Sequence, residues 1–539
     1  MKRLIYILCV CLFTGCNEDE SNYDYKEINE VSVDLETVYE VKLQKMELKI
    51  QPEISQTLSG NKDNLKYTWF YSDVNSNFYG LAEIGYGLDT VSTEDYAVLK
   101  IDPEDPDLKY EHYFRLNVFD ELTGIEYPYN VTVKLIKPYN GAWMVLHRQE
   151  GKTKLGAIEY IGEEPQVCDD AYFKETGRHL HGNPLCLGTI YDYSWCYDDP
   201  SALFYVMTDE PDEAGLYCQW KGFRKMDSLS RMVAPNYKGE FDYQDVGAYS
   251  GSIGSGGMLL SGGNFYQSPN ATTKFYKAPL TPSITGEVYF SHGSKSGSFF
   301  LLYDRLGKRF LCYSGMKDEV EYNPKIFDEE KENTGYPVTA IPERDLNIKT
   351  TDPGHLSEDK EVVYIGTGYN YHFYALATSR LKDSCYMYEF DTYGFYYARY
   401  AAFSGYYTFK CPETLTPESV IASSKAYNGI FYYAEGEKVY RLDFMSQGAK
   451  VTSVYTHPGG KARLAKFANS GDPHAYQDFS AYEHPLNQSL GVVFEMPDGT
   501  SDLVILNLSI TGKIAPNGEK WPAEQVYKGF GEVKDILFL

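Results

Sequence analysis

The sequence predicts an all-β protein of two unlike parts: a β-sandwich over residues 29–137, then a β-propeller of about seven blades over 138–539. Three observations predict it. Short runs of alternating apolar and polar residues fill the first part, separated by clusters of Gly, Pro, Asn and Asp. Hairpin-like units recur through the second part, and no extended amphipathic helix competes with them. Tyrosine is the compositional outlier, 51 against 28 Phe and 5 Trp, and it suits half-buried strands and flat contact surfaces.

The chain opens with Lys2 and Arg3, an apolar run over residues 4–13, and the small pair Thr14-Gly15 before Cys16. Ten apolar residues make a signal h-region and fall well short of the ~20 a spanning helix needs. The arrangement resembles a bacterial lipoprotein signal, with Phe13 where a smaller aliphatic residue is usual. That resemblance implies cleavage of residues 1–15 and a diacylglycerol on the Cys16 thiol; the other reading is an ordinary cleaved signal with a chance Cys. Acyl chains, at ~0.8 kcal/mol per buried methylene, would anchor the body with no protein inserted in the bilayer. Residues 16–28 are polar and acidic and read as a tether. On charge alone, Glu18, Asp19 and Glu20 are a solvated linker. They also resemble the surface-export signal of Bacteroidetes lipoproteins, which implies an outer-membrane location facing the cell exterior.

The formal charge of −26 loses the positive Lys2 and Arg3 on cleavage and becomes −28. Such a surface argues against nucleic acid and anionic lipid as partners. Seven cysteines follow Cys16: Cys168, Cys186, Cys196, Cys218, Cys312, Cys385 and Cys411. The count is odd and no pair forms CxxC, so neither a zinc ribbon nor a full disulfide framework is indicated. A bridge such as Cys186–Cys196 suits an exported chain; buried free thiols are the expected state.

Within 29–137 the strands are VKLQKMELKI (41–50), LKYTWFYS (65–72), YAVLKI (96–101), HYFRLNVFD (112–120) and YNVTVKLI (129–136), with Trp69 expected in the core. The run YTWFYSD, followed by YFRLNVFDELTGIEYPYNVTVKL, resembles a PKD-like domain: an early Tyr-x-Trp strand, then a V-x-D-x-x-G turn between the last two strands. The usual WDFGDG-type turn is missing, as in the divergent PKD-like lipoproteins of Bacteroidetes. The resemblance implies company with SusC/SusD-type importers.

Beyond Pro138 the hairpins are residues 141–160, 201–220, 256–267, 295–315, 360–379, 428–444 and 488–509. Their starts lie roughly 40 to 65 residues apart, the interval of propeller blades with inserted loops. Residues 383–400 read as an outer hairpin or an eighth unit, and tandem sandwiches are the rival fold.

No catalytic signature is present. SGDPHAYQ (470–477) matches a sialidase-type Asp box only through Ser470 and Asp472, and GxSxG, HExxH and a phosphate-cradling Gly loop are absent. The acid pairs Asp198-Asp199, Asp209-Glu210 and Asp212-Glu213 read as solvated loop charge, and GSIGSGG (251–257) as a flexible loop or tight connection. His179-x-His181 would put two imidazoles on one strand face but has no third ligand, so no metal and no cofactor are assigned. Tyr191, Tyr193, Trp195 and Tyr197 alternate, which aligns four rings if the segment is extended, with Asp192 and Asp198 beside them. Such a face stacks on sugars or packs against the next blade. The function read from all this is a non-enzymatic glycan- or peptide-binding accessory of a SusC/SusD-type TonB-dependent uptake system. The alternative is a propeller-fold glycoside hydrolase or lyase acting on extracellular polysaccharide.

Overall fold

The computed structural model describes residues 28–539 except 59, 73–88, 104, 106–107, 140, 161–164, 191–202, 234–241, 252–253, 269–273, 297–298, 315–337, 342–349, 392–401, 469–484 and 517–521. Cys16, Glu18, Asp19, Glu20, Tyr191, Tyr193, Trp195 and Tyr197 therefore lie outside the described residues, as do Cys196 and the 470–477 segment. The described chain is all-β, and it divides into two compact units, residues 1–137 and 138–539.

In the first unit a five-stranded sheet runs in the order Val38–Lys42, Ile125–Ile136, Glu111–Asp120, Leu65–Ser72, Asp89–Ser92. Val38–Lys42 lies parallel to its neighbour and the other pairs are antiparallel. Two short pairs accompany it, Val31–Asp34 with Glu53–Gln56 and Met46–Ile50 with Ala97–Ile101. Period-2 alternation decides the core: Glu111–Asp120 buries every second residue, from His112 through Phe114, Leu116 and Val118 to Asp120, and Trp69 opposite Leu116 is wholly buried. Buried Asp120 accepts hydrogen bonds from Asn29 Nδ2 (3.0 Å), Asn64 Nδ2 (2.6 Å), Thr123 Oγ1 (2.7 Å) and the Leu122 N–H (3.0 Å). Burial alone would raise its pKa, but these bonds outweigh it and hold the carboxyl down at about 2.

The described residues of the second unit form seven four-stranded antiparallel sheets. Six are each built from four strands consecutive in sequence, led by Pro184–Ile190, Tyr243–Gly251, Phe290–Ser296, Lys360–Thr367, Val420–Ala422 and Lys461–Phe467. The first sheet is composite: Ala142–Gln149, Lys152–Glu159 and Gln166–Cys168 are completed by the C-terminal strand Glu532–Phe538, with Trp143 opposite Phe538 and Val145 opposite Ile536.

Both faces of each sheet are covered by its neighbours. Phe204 and Val206 pack with Leu155 and Ala157 of the first sheet, while Tyr205 and Met207, alternating with them, pack with Val246 and Leu259 of the third. The same alternation continues through the fourth to seventh sheets, and Val493, Leu503 and Ile505 of the seventh join Trp143 and Val145 of the first. Strands buried on both faces must be apolar throughout, which explains runs such as LFYVMT and FFLLYD. The arrangement is propeller-like.

Several local expectations change. Residues 360–379 are a hairpin, the first and second strands of the fifth sheet, and Ser384–Asp391 is the third strand of that sheet, so 383–400 starts no eighth unit. Most of GSIGSGG is strand: Gly251 pairs with Gly254 across a two-residue connection. Nor is Glu213 a solvated acid. It is buried, bound by Arg178 through two nitrogens at 2.9 and 3.0 Å and by the Tyr217 hydroxyl at 2.8 Å.

Candidate functional site

The leading strands of the six sheets and the C-terminal strand together surround one cavity of about 510 Å³. A repeated irregularity shapes it. Where six of the seven inner strands meet their neighbours, the register shifts by one residue: between Pro184 and Cys186, Tyr243 and Asp245, Phe290 and His292, Val362 and Tyr364, Ala462 and Leu464, and on the C-terminal strand between Val533 and Asp535, while Val420–Ala422 pairs without a shift. A bulge re-aims the side chain that follows it. The residues that follow, Cys186, Asp245, His292, Tyr364, Leu464 and Asp535, all line the cavity, as does Ile421 of the sixth sheet.

Two positions further along stand Gly188, Ser294, Gly366, Ser423, Lys466 and Leu537. Small residues dominate because neighbouring strands crowd here. A methyl on Gly188 would collide with the Val246 carbonyl, and one on Gly366 with the Tyr364 hydroxyl. Leu537 and Lys466 are the exceptions, and Lys466 brings a cation into the cavity lining.

Side chains of the ring tie adjacent strands. Asp535 Oδ2 accepts the Leu187 N–H at 2.8 Å and Oδ1 accepts its neighbour Ile536 N–H at 2.9 Å, while the carboxylate also pairs with Lys466. One buried carboxylate thus links the C-terminal strand to the second and seventh sheets. Across the cavity, the Tyr364 hydroxyl lies 2.8 Å from Ser423 Oγ and accepts the Ser423 N–H at 2.8 Å, joining the fifth and sixth sheets.

The electrostatics favour holding charge over moving protons. Burial alone would lower the Lys466 ammonium, but Asp535 and then Asp245 outweigh it and raise its pKa, so the cation persists. Burial, reinforced by Asp535 and Asp245, pushes the Cys186 thiol far up, which keeps it protonated and a poor nucleophile. Burial lowers His292 despite Glu361, leaving a neutral imidazole whose Nδ1 lies 2.9 Å from Ser291 Oγ. His292 and Ile421 also line a side pocket of about 280 Å³ with Glu361, Lys382, Thr378 and Ser419. These groups can bind a small polar molecule through hydroxyls, a fixed cation and carboxylates.

His179 and His181 share no strand face: His179 Nδ1 sits 2.7 Å from Asp170, which caps a short helix, and its ring stacks on Phe173, while His181 is exposed. Among the described residues no group of three or more His, Cys, Asp or Glu is placed to hold a metal ion. The cavity residues were not singled out from the sequence. Their signal is a recurring triplet, Cys-Leu-Gly (186–188), Asp-Val-Gly (245–247), His-Gly-Ser (292–294), Tyr-Ile-Gly (364–366) and Ile-Ala-Ser (421–423), visible only once the bulges align it.

Residues 16–184 match the PKD-like family. The match opens at Cys16, spans the first unit and continues into the second as far as Pro184, where the second sheet begins. No curated protein matches the chain. Among solved structures, a quinoprotein alcohol dehydrogenase-like protein from Bacteroides thetaiotaomicron is similar over 93% of this chain and 96% of its own, at 12% identity and a TM-score of 0.40. The WD40 domain of SCAP from fission yeast is similar over 63% of this chain and 74% of its own, at 9% identity and a TM-score of 0.29. A prolyl endopeptidase is similar over 73% and 50%, at 15% identity and a TM-score of 0.32. None of their activities is assigned to this chain.

Proposed function

We propose that this protein is a lipid-anchored, outward-facing outer-membrane protein that binds glycan or peptide without catalysis, as an accessory of a SusC/SusD-type TonB-dependent importer. The observation that carries the reading is the run from Lys2 to Cys16, a short basic start, ten apolar residues and Thr-Gly-Cys, followed at once by Glu18, Asp19 and Glu20. A PKD-like match that begins at Cys16 supports a mature chain starting there. In this reading the seven sheets are the blades of one closed ring, supported by the shared cavity and by the C-terminal strand completing the first sheet. Ligand lies across one end of that ring. Tyr191, Tyr193, Trp195 and Tyr197 are the proposed contacts; they follow in sequence the strand Pro184–Ile190, which lines the cavity. Stacked rings would hold a sugar or peptide face while neighbouring acids accept its hydrogen bonds.

The test is to purify the native protein from solubilised outer membrane and to identify what accompanies it. SusC/SusD homologues and a retained glycan or peptide are expected. Cys16→Ala should abolish lipid labelling and leave an unprocessed precursor, and protease added to intact cells should digest the wild-type protein. Trp195→Ala should weaken binding about ten-fold with folding intact, the ~1–2 kcal/mol of one stacked ring. Normal lipidation of the Cys16 variant, resistance to external protease, or turnover of a glycan or peptide by pure protein would each overturn the corresponding part.

A further inference from the structure

The fifth sheet brings two thiols together. Its third strand, Ser384–Asp391, pairs with its fourth, Ala402–Lys410, so that Cys385 stands opposite Phe409 and Ser384 opposite Lys410. One step beyond, the Cys411 N–H donates to the Asp383 carbonyl at 3.0 Å and continues the ladder. Cys385 and Cys411 are thus diagonal neighbours two positions apart on one face of an antiparallel pair. Both are buried, and both belong to the same apolar cluster, with Tyr433, Leu442 and Phe444 around them. Both thiols are free in this structure, and burial first, with Cys411 as the next cause, pushes the Cys385 thiol up. Diagonal neighbours stand roughly 7–8 Å apart at Cα, at the edge of what a disulfide spans, so the bond needs a small backbone shift; Cys411 sits just past the end of its strand, where such a shift is least opposed.

Cys186 and Cys218 are not so placed relative to each other. Cys186 and Cys218 lie on the first and third strands of the second sheet with Leu203–Thr208 between them, so roughly two strand spacings, near 10 Å, separate their backbones. The Cys312 thiol is bonded to Thr339 on the edge strand of the fourth sheet.

We propose that Cys385 and Cys411 form a disulfide in the exported protein. Two thiols each lose a proton and together give two electrons to the disulfide of an envelope thiol oxidant, which leaves as a dithiol, and one S–S bond forms. The reaction belongs to folding, before the hairpin closes, because the buried thiols are later held protonated and shielded from exchange. Once formed, the bond pins the outermost strand of the fifth sheet to its neighbour, at the start of the connection whose residues Cys411, Leu415 and Ser419 line the side pocket.

To test this, the full-length lipoprotein is extracted from membranes into denaturant with N-ethylmaleimide and no reductant, then digested and mapped by mass spectrometry. A linked Cys385–Cys411 peptide pair is expected. Quantitative alkylation of both Cys385 and Cys411, or a link from either to another cysteine, overturns the proposal. Reductant should lower the melting temperature of wild type by about 5 °C, as expected for a loop of this length, and leave the Cys385→Ala/Cys411→Ala protein unmoved. An equal shift in both would also overturn it. A mature N-terminus at Cys16 in the same digest establishes export, so failure of the outward-facing reading, seen by protease treatment of cells, is scored separately.

Discussion

Replacing Asp535 should loosen the second unit as a whole, because one carboxylate holds three inner strands. Asp535→Ala removes the acceptor of the Leu187 N–H, and an orphaned buried N–H costs ~1–3 kcal/mol. It also takes from the Lys466 ammonium its nearest counter-charge, leaving Asp245 as the remaining one. A fully buried charge left alone costs ~3–5 kcal/mol, but the Lys466 side chain is 35% exposed toward the cavity, so water recovers much of this and ~1–2 kcal/mol is the discounted figure. The expected total is ~3–4 kcal/mol. Asp535→Asn keeps an amide oxygen for the Leu187 N–H and should cost only ~1–2 kcal/mol. Urea unfolding gives the free energies, and hydrogen exchange locates them: protection should fall together in Pro184–Ile190 and Lys461–Phe467, which lie on different sheets. If Asp535→Ala stays within about 0.5 kcal/mol of wild type, or frees only Glu532–Phe538, the carboxylate is not a clasp and the reasoning fails.

Alkaline pH should unfold the second unit cooperatively. Burial raises Tyr205, Tyr217, Tyr374 and Tyr427 above 10.0, and Lys466 is raised above 10.5, so their stabilisation is complete below the unfolded values and lost as pH climbs past them. Tyrosinate absorbance should therefore rise in two classes, the second together with loss of circular dichroism; a single smooth titration near pH 10 with the fold intact would contradict this. Asp120, held down at about 2, stabilises the first unit above the unfolded value of 3.8 and loses that effect as pH falls toward 2. Asp120→Ala should lower the first unit's stability by ~2–3 kcal/mol and leave the second unit's transition in place, which a two-transition urea melt reads directly. Removal of Glu532–Phe538 should abolish the cooperative transition of residues 138–539; survival of two independently folded halves under limited proteolysis would favour tandem sandwiches. Gly188→Ala, which drives a methyl into the Val246 carbonyl, should cost at least ~2 kcal/mol by thermal melting, and a neutral result would mean the two inner strands can separate freely.

What could be read from the sequence follows from what each strand faces. Hairpins such as 201–220, 428–444 and 488–509 stand out because their strands are buried on both sides and bounded by polar turns. Apart from Lys360–Thr367, inner strands do not stand out. Their side chains alternate between a neighbour and a wet cavity, and a bulge breaks the period of two at the position that matters, so Tyr-Gln-Asp-Val-Gly and Phe-Ser-His-Gly-Ser look like loops. Glu213 escaped for a related reason: it sits in an acidic run that reads as solvated, while its partner Arg178 lies on a different segment brought close only by folding. Lys466 and Asp535 are 69 positions apart and carry no local motif.

The composite first sheet also bears on how the chain is made. Ala142–Gln149 emerges from the ribosome long before Glu532–Phe538, its partner, so its free edge stays an unpaired template while nearly four hundred residues follow. Closing a segment of that length is slow, since its entropy must be spent before the contacts at Trp143 and Phe538 return anything. In a chain built this way, a stalled or truncated product would offer that edge to other molecules, the start of aggregation.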